Sequence, residues 1–309
     1  MSGAALLLPG QGAQYVGMGR DLAEAFPAVE ELYERADDAL GIRLSRLSWE
    51  GPDEELTATE NAQPAILLHS YATWCVIRDE IEVVGVGAGH SLGEFSAHLI
   101  AGTFDLEAAL RVVRRRGELM AASGNERPGT MAAVLGLEED VVSHLCSAVS
   151  DGVVVAANLN APGQIVISGD VPAVQAASAL AEEAGARRVV PLNVSGAFHS
   201  PLMEVAVKGL GEALAATEMD DPGFPIVANA TARPVTDAET ARRTLLSQLT
   251  SPVRWVDSME SMRATGPDVW IELGPGGVLA GLLRRFDRGL RASSLGDPES
   301  IDAFIGGGR

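Results

Sequence analysis

The segment Gly87-Ala88-Gly89-His90-Ser91-Leu92-Gly93-Glu94 constrains the fold more than any other part of this chain. An apolar, β-branched stretch, Ile81 to Val86, runs into it, and helix-forming residues from Glu94 to Ala101 follow. Gly89-x-Ser91-x-Gly93 therefore falls where a strand hands over to a helix, the setting of a nucleophile elbow. Glycine on each side leaves room for a turn too tight for side chains. The serine hydroxyl is pushed outward, above a helix N-terminus that favours developing negative charge. Taken alone, a G-x-S-x-G string is also compatible with an ordinary turn; the strand before it and the helix after it favour the chemical reading.

Strand and helix alternate on either side of this point. Leu6–Leu8 reads as a buried strand ending in the loop Pro9-Gly10-Gln11-Gly12-Ala13-Gln14. Helical patterns follow at Leu22–Leu40, Asn61–Glu80, Leu92–Ala101 and Leu106–Ala122, with a strand at Val83–Gly87. Such alternation predicts a mostly parallel sheet with helices on both faces. After Arg127-Pro128-Gly129 the texture changes. Strand Thr130–Leu135, helix Glu138–Ser147, strands Val153–Asn158 and Gln164–Ser168, helix Pro172–Glu183 and strand Arg188–Leu192 spell β-α-β-β-α-β, the ferredoxin-like module. The expected architecture is an α/β-hydrolase-like core, residues 1–128 and 194–309, carrying a ferredoxin-like subdomain at 129–193. Core elements resume with Ile226–Ala228, a helix near Ala238–Gln248, strand Val269–Glu272 and a last helix ending at Arg285. The Gly306-Gly307-Gly308 tail is expected to fray.

With 309 residues and 47% hydrophobic content, the chain can bury a large core. No apolar run approaches the roughly 20 residues of a membrane span, and Met1 to Pro9 reads as a first strand rather than a signal peptide. A net charge of −19 argues against nucleic acid as partner. Cys75 and Cys146 are the only cysteines. They offer no disulfide framework and no thiolate metal site, which fits a reducing cytoplasm.

A serine nucleophile needs a base, and five histidines compete. His69 and His144 sit inside helical patterns. His90 lies on the elbow, where its ring packs or orients. His90, Glu94 and His98 share an i, i+4, i+8 spacing, but His90 precedes the helix, so a metal face is not expected. His199 occupies the loop Asn193 to Pro201, where the subdomain ends and the core resumes, a place where pockets form. It ranks first, although chain order alone does not establish the contact. Two phosphate-binding readings fail: Gly12-x-x-x-x-Gly17 is followed by Met18, so it is no P-loop, and no Gly-x-Gly-x-x-Gly follows a strand.

Six motifs occur in order: Gly10-Gln11-Gly12-Ala13-Gln14, Asn61-Ala62-Gln63-Pro64-Ala65, Gly89-His90-Ser91-Leu92-Gly93-Glu94, Arg116-Gly117-x-x-Met120, Gly196-Ala197-Phe198-His199-Ser200 and Gln248-x-x-x-Pro252-Val253-x-Trp255. Together they resemble malonyl-CoA:acyl-carrier-protein transacylases and the acyltransferase domains of polyketide synthases, from Leu7 to about Arg285. The resemblance implies that Ser91 attacks the thioester of malonyl-CoA, that His199 takes its proton, and that the phosphopantetheine thiol of an acyl carrier protein accepts the acyl group. It further implies an oxyanion hole from the backbone N–H groups of Gln11 and Leu92, and a histidine oriented by a backbone carbonyl near Gln248 rather than by an acid. Arg116 would grip the malonyl carboxylate, a task suited to a planar guanidinium, while Arg114 and Arg115 read as a solvated helix face. Phe198 would crowd a C2 methyl group, although a plain core aromatic is its alternative, and Gln63 matches a position near the site.

Asn158, Asn160 and Gln164 are read as turn formers first, with a place near the cleft as the alternative. No metal and no cofactor of its own are implied, and the family is commonly monomeric. Carrier docking is expected at a basic cluster, Arg284, Arg285, Arg288 and Arg291, whose alternative is a solvated helix end. The rivals are an acyl hydrolase on the same fold, against which Arg116 argues, a catalytically silent carrier-binding module, and a trans-acting acyltransferase for an unusual malonyl-type unit.

Overall fold

Strand β1 (Ala4–Leu8) is buried along its whole length, as a strand covered on both faces must be. In the computed structural model, which describes residues 3–307, β1 opens an alternation of strands and helices. It is followed by α1 (Arg20–Ala25), α2 (Pro27–Leu40), α3 (Leu44–Glu50), α4 (Asp53–Thr57), α5 (Thr59–Ile77), β2 (Val84–Gly89), α6 (Leu92–Ile100) and α7 (Leu106–Glu126). Next come β3 (Gly129–Leu135), α8 (Glu139–Ala148), β4 (Val154–Ala161), β5 (Gln164–Asp170), α9 (Val171–Glu183) and β6 (Arg188–Pro191). The chain continues with α10 (Glu204–Ala215), β7 (Ile226–Val227), β8 (Pro234–Val235), α11 (Ala238–Ser247) and α12 (Trp255–Ala264). It closes with β9 (Val269–Leu273), α13 (Val278–Phe286), β10 (Ala292–Leu295) and α14 (Pro298–Gly307).

The larger sheet has the order β10-β9-β1-β2-β7-β8 and is parallel except for the β7–β8 pair. Alternation along β1 splits its side chains between two layers. Leu6 and Leu8 join one core with Leu68, Phe95 and Leu110, while Ala5 and Leu7 join another with Trp255, Trp270 and Leu283. Each fully buried leucine there contributes about 1.5–3 kcal/mol relative to exposure. The smaller sheet has the order β4-β5-β3-β6, antiparallel throughout, as the ferredoxin-like pattern requires. Ile165 and Ile167 pack against α8 and α9 with Val142 and Val174, whereas Val166, pointing the other way, joins the main core. Strand β4 is stitched to the larger unit by backbone bonds from Leu159 N–H to the Val253 carbonyl, 2.9 Å, and from Val253 N–H to the Ala157 carbonyl, 2.8 Å.

The elements differ from the sequence reading in identifiable ways. The expected helix Leu22–Leu40 is broken into α1 and α2, because Pro27 forces Phe26 into extended backbone at φ −129°, ψ 103°. Helices α3, α4, α10 and α12 and the elements after Arg285, β10 and α14, were not expected. Helix α14 runs through Gly307 instead of fraying at Gly306; Gly308 lies outside the described residues. Arg115 is exposed as expected, but Arg114 donates to the Glu60 carbonyl, 3.2 Å, and ties α7 to the start of α5. Among the described residues, no helix is long and apolar enough to cross a membrane.

Candidate active site

The elbow is built from close backbone approach. A Cβ on Gly89 would lie 1.8 Å from the carbonyl carbon of Gly93, and one on Gly93 would lie 2.0 Å from the Leu8 carbonyl oxygen. Glycine at both positions is therefore what lets α6 start directly against β1 and β2. Ser91 takes φ 52°, ψ −106°, a sparsely populated conformation that costs on the order of 1–3 kcal/mol. Asn229, in the loop after β7, holds it there. The Ser91 N–H donates to Asn229 Oδ1 at 2.7 Å, and Asn229 Nδ2 donates to the Gly89 carbonyl at 2.7 Å. One side chain thus bridges both arms of the elbow.

Two side chains meet the Ser91 hydroxyl, and a carbonyl stands behind one of them. Ser91 Oγ lies 2.7 Å from His199 Nε2 and accepts from Arg116 Nη2 at 3.0 Å. His199 Nδ1 lies 2.9 Å from the backbone carbonyl of Gln248. A carbonyl only accepts, so Nδ1 carries the proton and Nε2 is free to accept from the serine hydroxyl. Burial pushes the His199 imidazole down to about 3, with the Arg116 charge adding to the shift. His199 itself sits at φ 57°.

Arg116 is 1% exposed. Gly117 explains how it comes to lie against α5: a Cβ there would meet the Glu60 Cα at 2.6 Å, so α7 and α5 touch backbone to backbone. Arg116 Nη1 donates to Gln63 Oε1, 2.7 Å, and Nη2 also donates to Gln248 Oε1, 2.9 Å, while its Nε has no hydrogen-bond partner. Burial lowers the guanidinium to about 10 and Glu94 works against that shift, so it stays charged at neutral pH. Glu94, on the first turn of α6, is wholly buried and is pushed up to about 7 by that burial.

A cleft of about 350 Å³ opens above Ser91 and His199, between the two sheets. Its lining includes Gln11, Met131, Phe198 and Val278. Gln11 donates through Nε2 to Thr59 Oγ1 at 3.2 Å. Leu92 is the first residue of α6, where backbone N–H groups have no partner within the helix. Asn158, Asn160 and Gln164 also line the cleft, so they face it rather than merely turning the chain. His90 packs on Trp255 and lies 2.7 Å from Asn160 Oδ1 through Nε2. His98 turns inward to Thr103, so His90, Glu94 and His98 share no common point. Arg284 and Arg285 are exposed at the end of α13, where Arg285 reaches Gln164 Oε1 at 2.8 Å, and Arg288 and Arg291 follow in the loop beyond. Sequence reasoning assigned no role to Asn229 and passed over Glu94 except as a discarded metal ligand.

The sequence pattern of the acyl transferase domain family matches residues 6–297. The chain belongs to the acyl transferase family. A malonyl CoA-acyl carrier protein transacylase of Bacillus subtilis is 43% identical over 307 residues, covering 99% of this chain and 97% of that protein. The crystal structure of an acyl carrier protein S-malonyltransferase from Vibrio cholerae superposes with a TM-score of 0.94 at 40% identity, covering 98% of this chain and 100% of that one. A malonyl-transacylase solved in complex with its type II PKS acyl-carrier protein gives 0.95 at 39% identity, with coverage of 99% and 100%.

The buried titratable groups of this acyl transferase fix its acid response. His69, His90, His98 and His199 are held low by desolvation, His69 to about 4 and His98 and His199 to about 3. Each is neutral in the fold but binds a proton below about 6.5 once unfolded. Stability from these groups is present above that value and is lost as pH falls. Glu94 and Glu272, raised by burial, act in the opposite sense, but four groups outweigh two. Unfolding near pH 5.5 should take up protons, lowering stability by about 1.4 kcal/mol per pH unit for each proton in excess. Melting temperatures measured from pH 7.5 down to 5 should fall; a flat or rising series would contradict this.

Proposed function

We propose that this protein transfers a malonyl group from CoA to the phosphopantetheine thiol of an acyl carrier protein, through an ester on Ser91. One observation carries the reading: Ser91 Oγ is hydrogen-bonded at once to His199 Nε2, 2.7 Å, and to the Arg116 guanidinium, 3.0 Å. A nucleophile flanked by a base and a buried cation suits a thioester whose acyl group ends in a carboxylate two bonds from the carbonyl under attack. Ser91 Oγ bonds to that carbonyl carbon while its proton passes to His199 Nε2. The tetrahedral oxyanion is received by the backbone N–H groups of Leu92 and Gln11, each such donor being worth about 10²–10³ in rate. Collapse breaks the C–S bond, and His199 returns the proton to the departing CoA sulfur. The carrier thiol then repeats the steps in reverse order, and the carbonyl of Gln248 holds the imidazole tautomer throughout.

Arg116 receives the malonyl carboxylate, with Gln63 and Gln248 fixing the fork from either side. Phe198, on the cleft wall, crowds the C2 position. The reading asks for no cofactor beyond the carrier's own phosphopantetheine. Relatives with malonyl-CoA and a carrier protein in their names support it, and the exchange serves fatty acid or polyketide synthesis. Two free cysteines, Cys75 and Cys146, both raised by burial, suit a reducing cytoplasm.

The test is brief incubation with malonyl-CoA, methylmalonyl-CoA or acetyl-CoA, read by intact mass. A malonyl adduct well in excess of the other two is expected. Acetyl loading equal to malonyl loading would overturn the assignment of Arg116.

A further inference from the structure

The mechanism leaves the buried carboxyl beside the elbow, Glu94, without a task. Glu94 is 0% exposed and lies one helical turn behind the nucleophile. A carboxylate in such a place is expensive to desolvate, so its contacts should show what it does. All of them fall on one oxygen. Glu94 Oε2 accepts from Gln248 Nε2 at 2.6 Å and from the Asn229 backbone N–H at 3.0 Å, while Oε1 is buried with no partner. Gln248 Nε2 also donates to the Ser91 carbonyl at 3.0 Å.

These contacts decide which way the Gln248 amide faces. Its NH₂ end is held by two acceptors, Glu94 Oε2 and the Ser91 carbonyl. Its oxygen is thereby turned to Arg116 Nη2 at 2.9 Å. A flipped amide would set oxygen against oxygen at Glu94 and nitrogen against nitrogen at Arg116. We propose that Glu94 is a positioning residue for acyl-group selection: through Gln248 it fixes the Arg116 guanidinium in the orientation that receives the substrate carboxylate. The inference rests on the reading of Arg116 given above. It separates two functions of the same oxygen, because the bond to the Asn229 backbone supports the elbow and serves every acyl group alike. The relay through Gln248 serves only an acyl group that bears a carboxylate.

Glu94→Met keeps the volume and removes the acceptor. Glu94→Gln can place its amide oxygen where Oε2 lies and accept the same two N–H groups. Gln248→Met removes the relay and leaves the backbone carbonyl that His199 uses. For each variant, kcat/KM for loading is measured with malonyl-CoA and with acetyl-CoA. Losing an oriented, charge-assisted contact should narrow the malonyl-to-acetyl ratio about tenfold in Glu94→Met and in Gln248→Met, chiefly through KM for malonyl-CoA. Glu94→Gln should restore the ratio to within about threefold of the parent.

A fall in both substrates by one factor in Glu94→Met would mean that Glu94 merely supports the elbow, and would overturn the inference. So would an unchanged ratio in Gln248→Met, which tests the relay even where Glu94→Met does not fold. Failure of Glu94→Gln to restore the ratio would show that charge, not the acceptor, matters, and would also overturn it. A parent protein with no preference for malonyl-CoA would instead sink the reading of Arg116 itself, so the two failures are distinguishable.

Discussion

Ser91→Ala should form no acyl-enzyme with malonyl-CoA and should lower transfer to a carrier protein by about 10⁴-fold or more, the scale seen when a covalent nucleophile is deleted. The loss is expected to be chemical rather than structural. The backbone N–H of residue 91 would still donate to Asn229 Oδ1, and Asn229 Nδ2 would still reach the Gly89 carbonyl. The clamp on the elbow thus grips main chain, which alanine supplies as well as serine. The left-handed φ of 52° is equally awkward for both residues. The hydroxyl contributes two hydrogen bonds in the resting state, to His199 and Arg116, so the melting temperature should move by only a few degrees. Intact mass after incubation gives the chemical readout and a thermal melt gives the structural one. An undiminished malonyl adduct on Ser91→Ala would place the nucleophile elsewhere; collapse of the fold would show that the hydroxyl, not the backbone clamp, holds the elbow.

What could be read in the sequence, and what could not, divides by the range of the signal. The elbow is local: two glycines, a serine, a strand before and a helix after all fall between Val84 and Ile100. The smaller sheet is legible for the same reason, since each of its elements carries its own period and the antiparallel order β4-β5-β3-β6 follows from the β-α-β-β-α-β succession. Even the break between α1 and α2 was available at Phe26-Pro27, because proline dictates the conformation of the residue before it. Helix α12 carries a helical spacing in Trp255, Met259 and Met262, all buried, but one turn either side of Pro252 offers little to frame it.

Asn229 is different in kind. It meets Ser91 across 138 positions of chain, from a loop bounded by Ala228 and Ala230 that shows no period and no charge. Its importance comes from where β7 ends relative to β2, which is a property of the packed sheet. Glu94 was misleading for the opposite reason. Its sequence neighbours His90 and His98 suggest a shared face, yet the first stands in the turn and the second points to Thr103. The partners that give Glu94 meaning, Gln248 and Asn229, lie 154 and 135 positions away.

Arg116→Met should separate recognition from chemistry most sharply. Methionine fills the space of the arginine stem and removes the charge. An acyl carboxylate would then be buried without its partner, a loss of about 3–4 kcal/mol, or roughly 10²–10³-fold in kcat/KM for malonyl-CoA. Acetyl loading should behave differently. The Arg116 charge is one of the causes that hold the His199 imidazole low, so its removal makes His199 a stronger base. A neutral acyl group has no carboxylate to offset that charge in the parent protein and therefore gains from the substitution. Acetyl loading should be maintained or rise, and the preference for malonyl-CoA should disappear or invert. Loss of the cation near Glu94 does not undo this: Glu94, already raised by burial, loses the charge that favours its ionised form and takes up a proton, on Oε1 where no donor competes. Rates for both CoA esters, with a melt to establish folding, decide the matter. Equal losses for malonyl and acetyl would make Arg116 a structural support of the elbow rather than the receptor for a carboxylate.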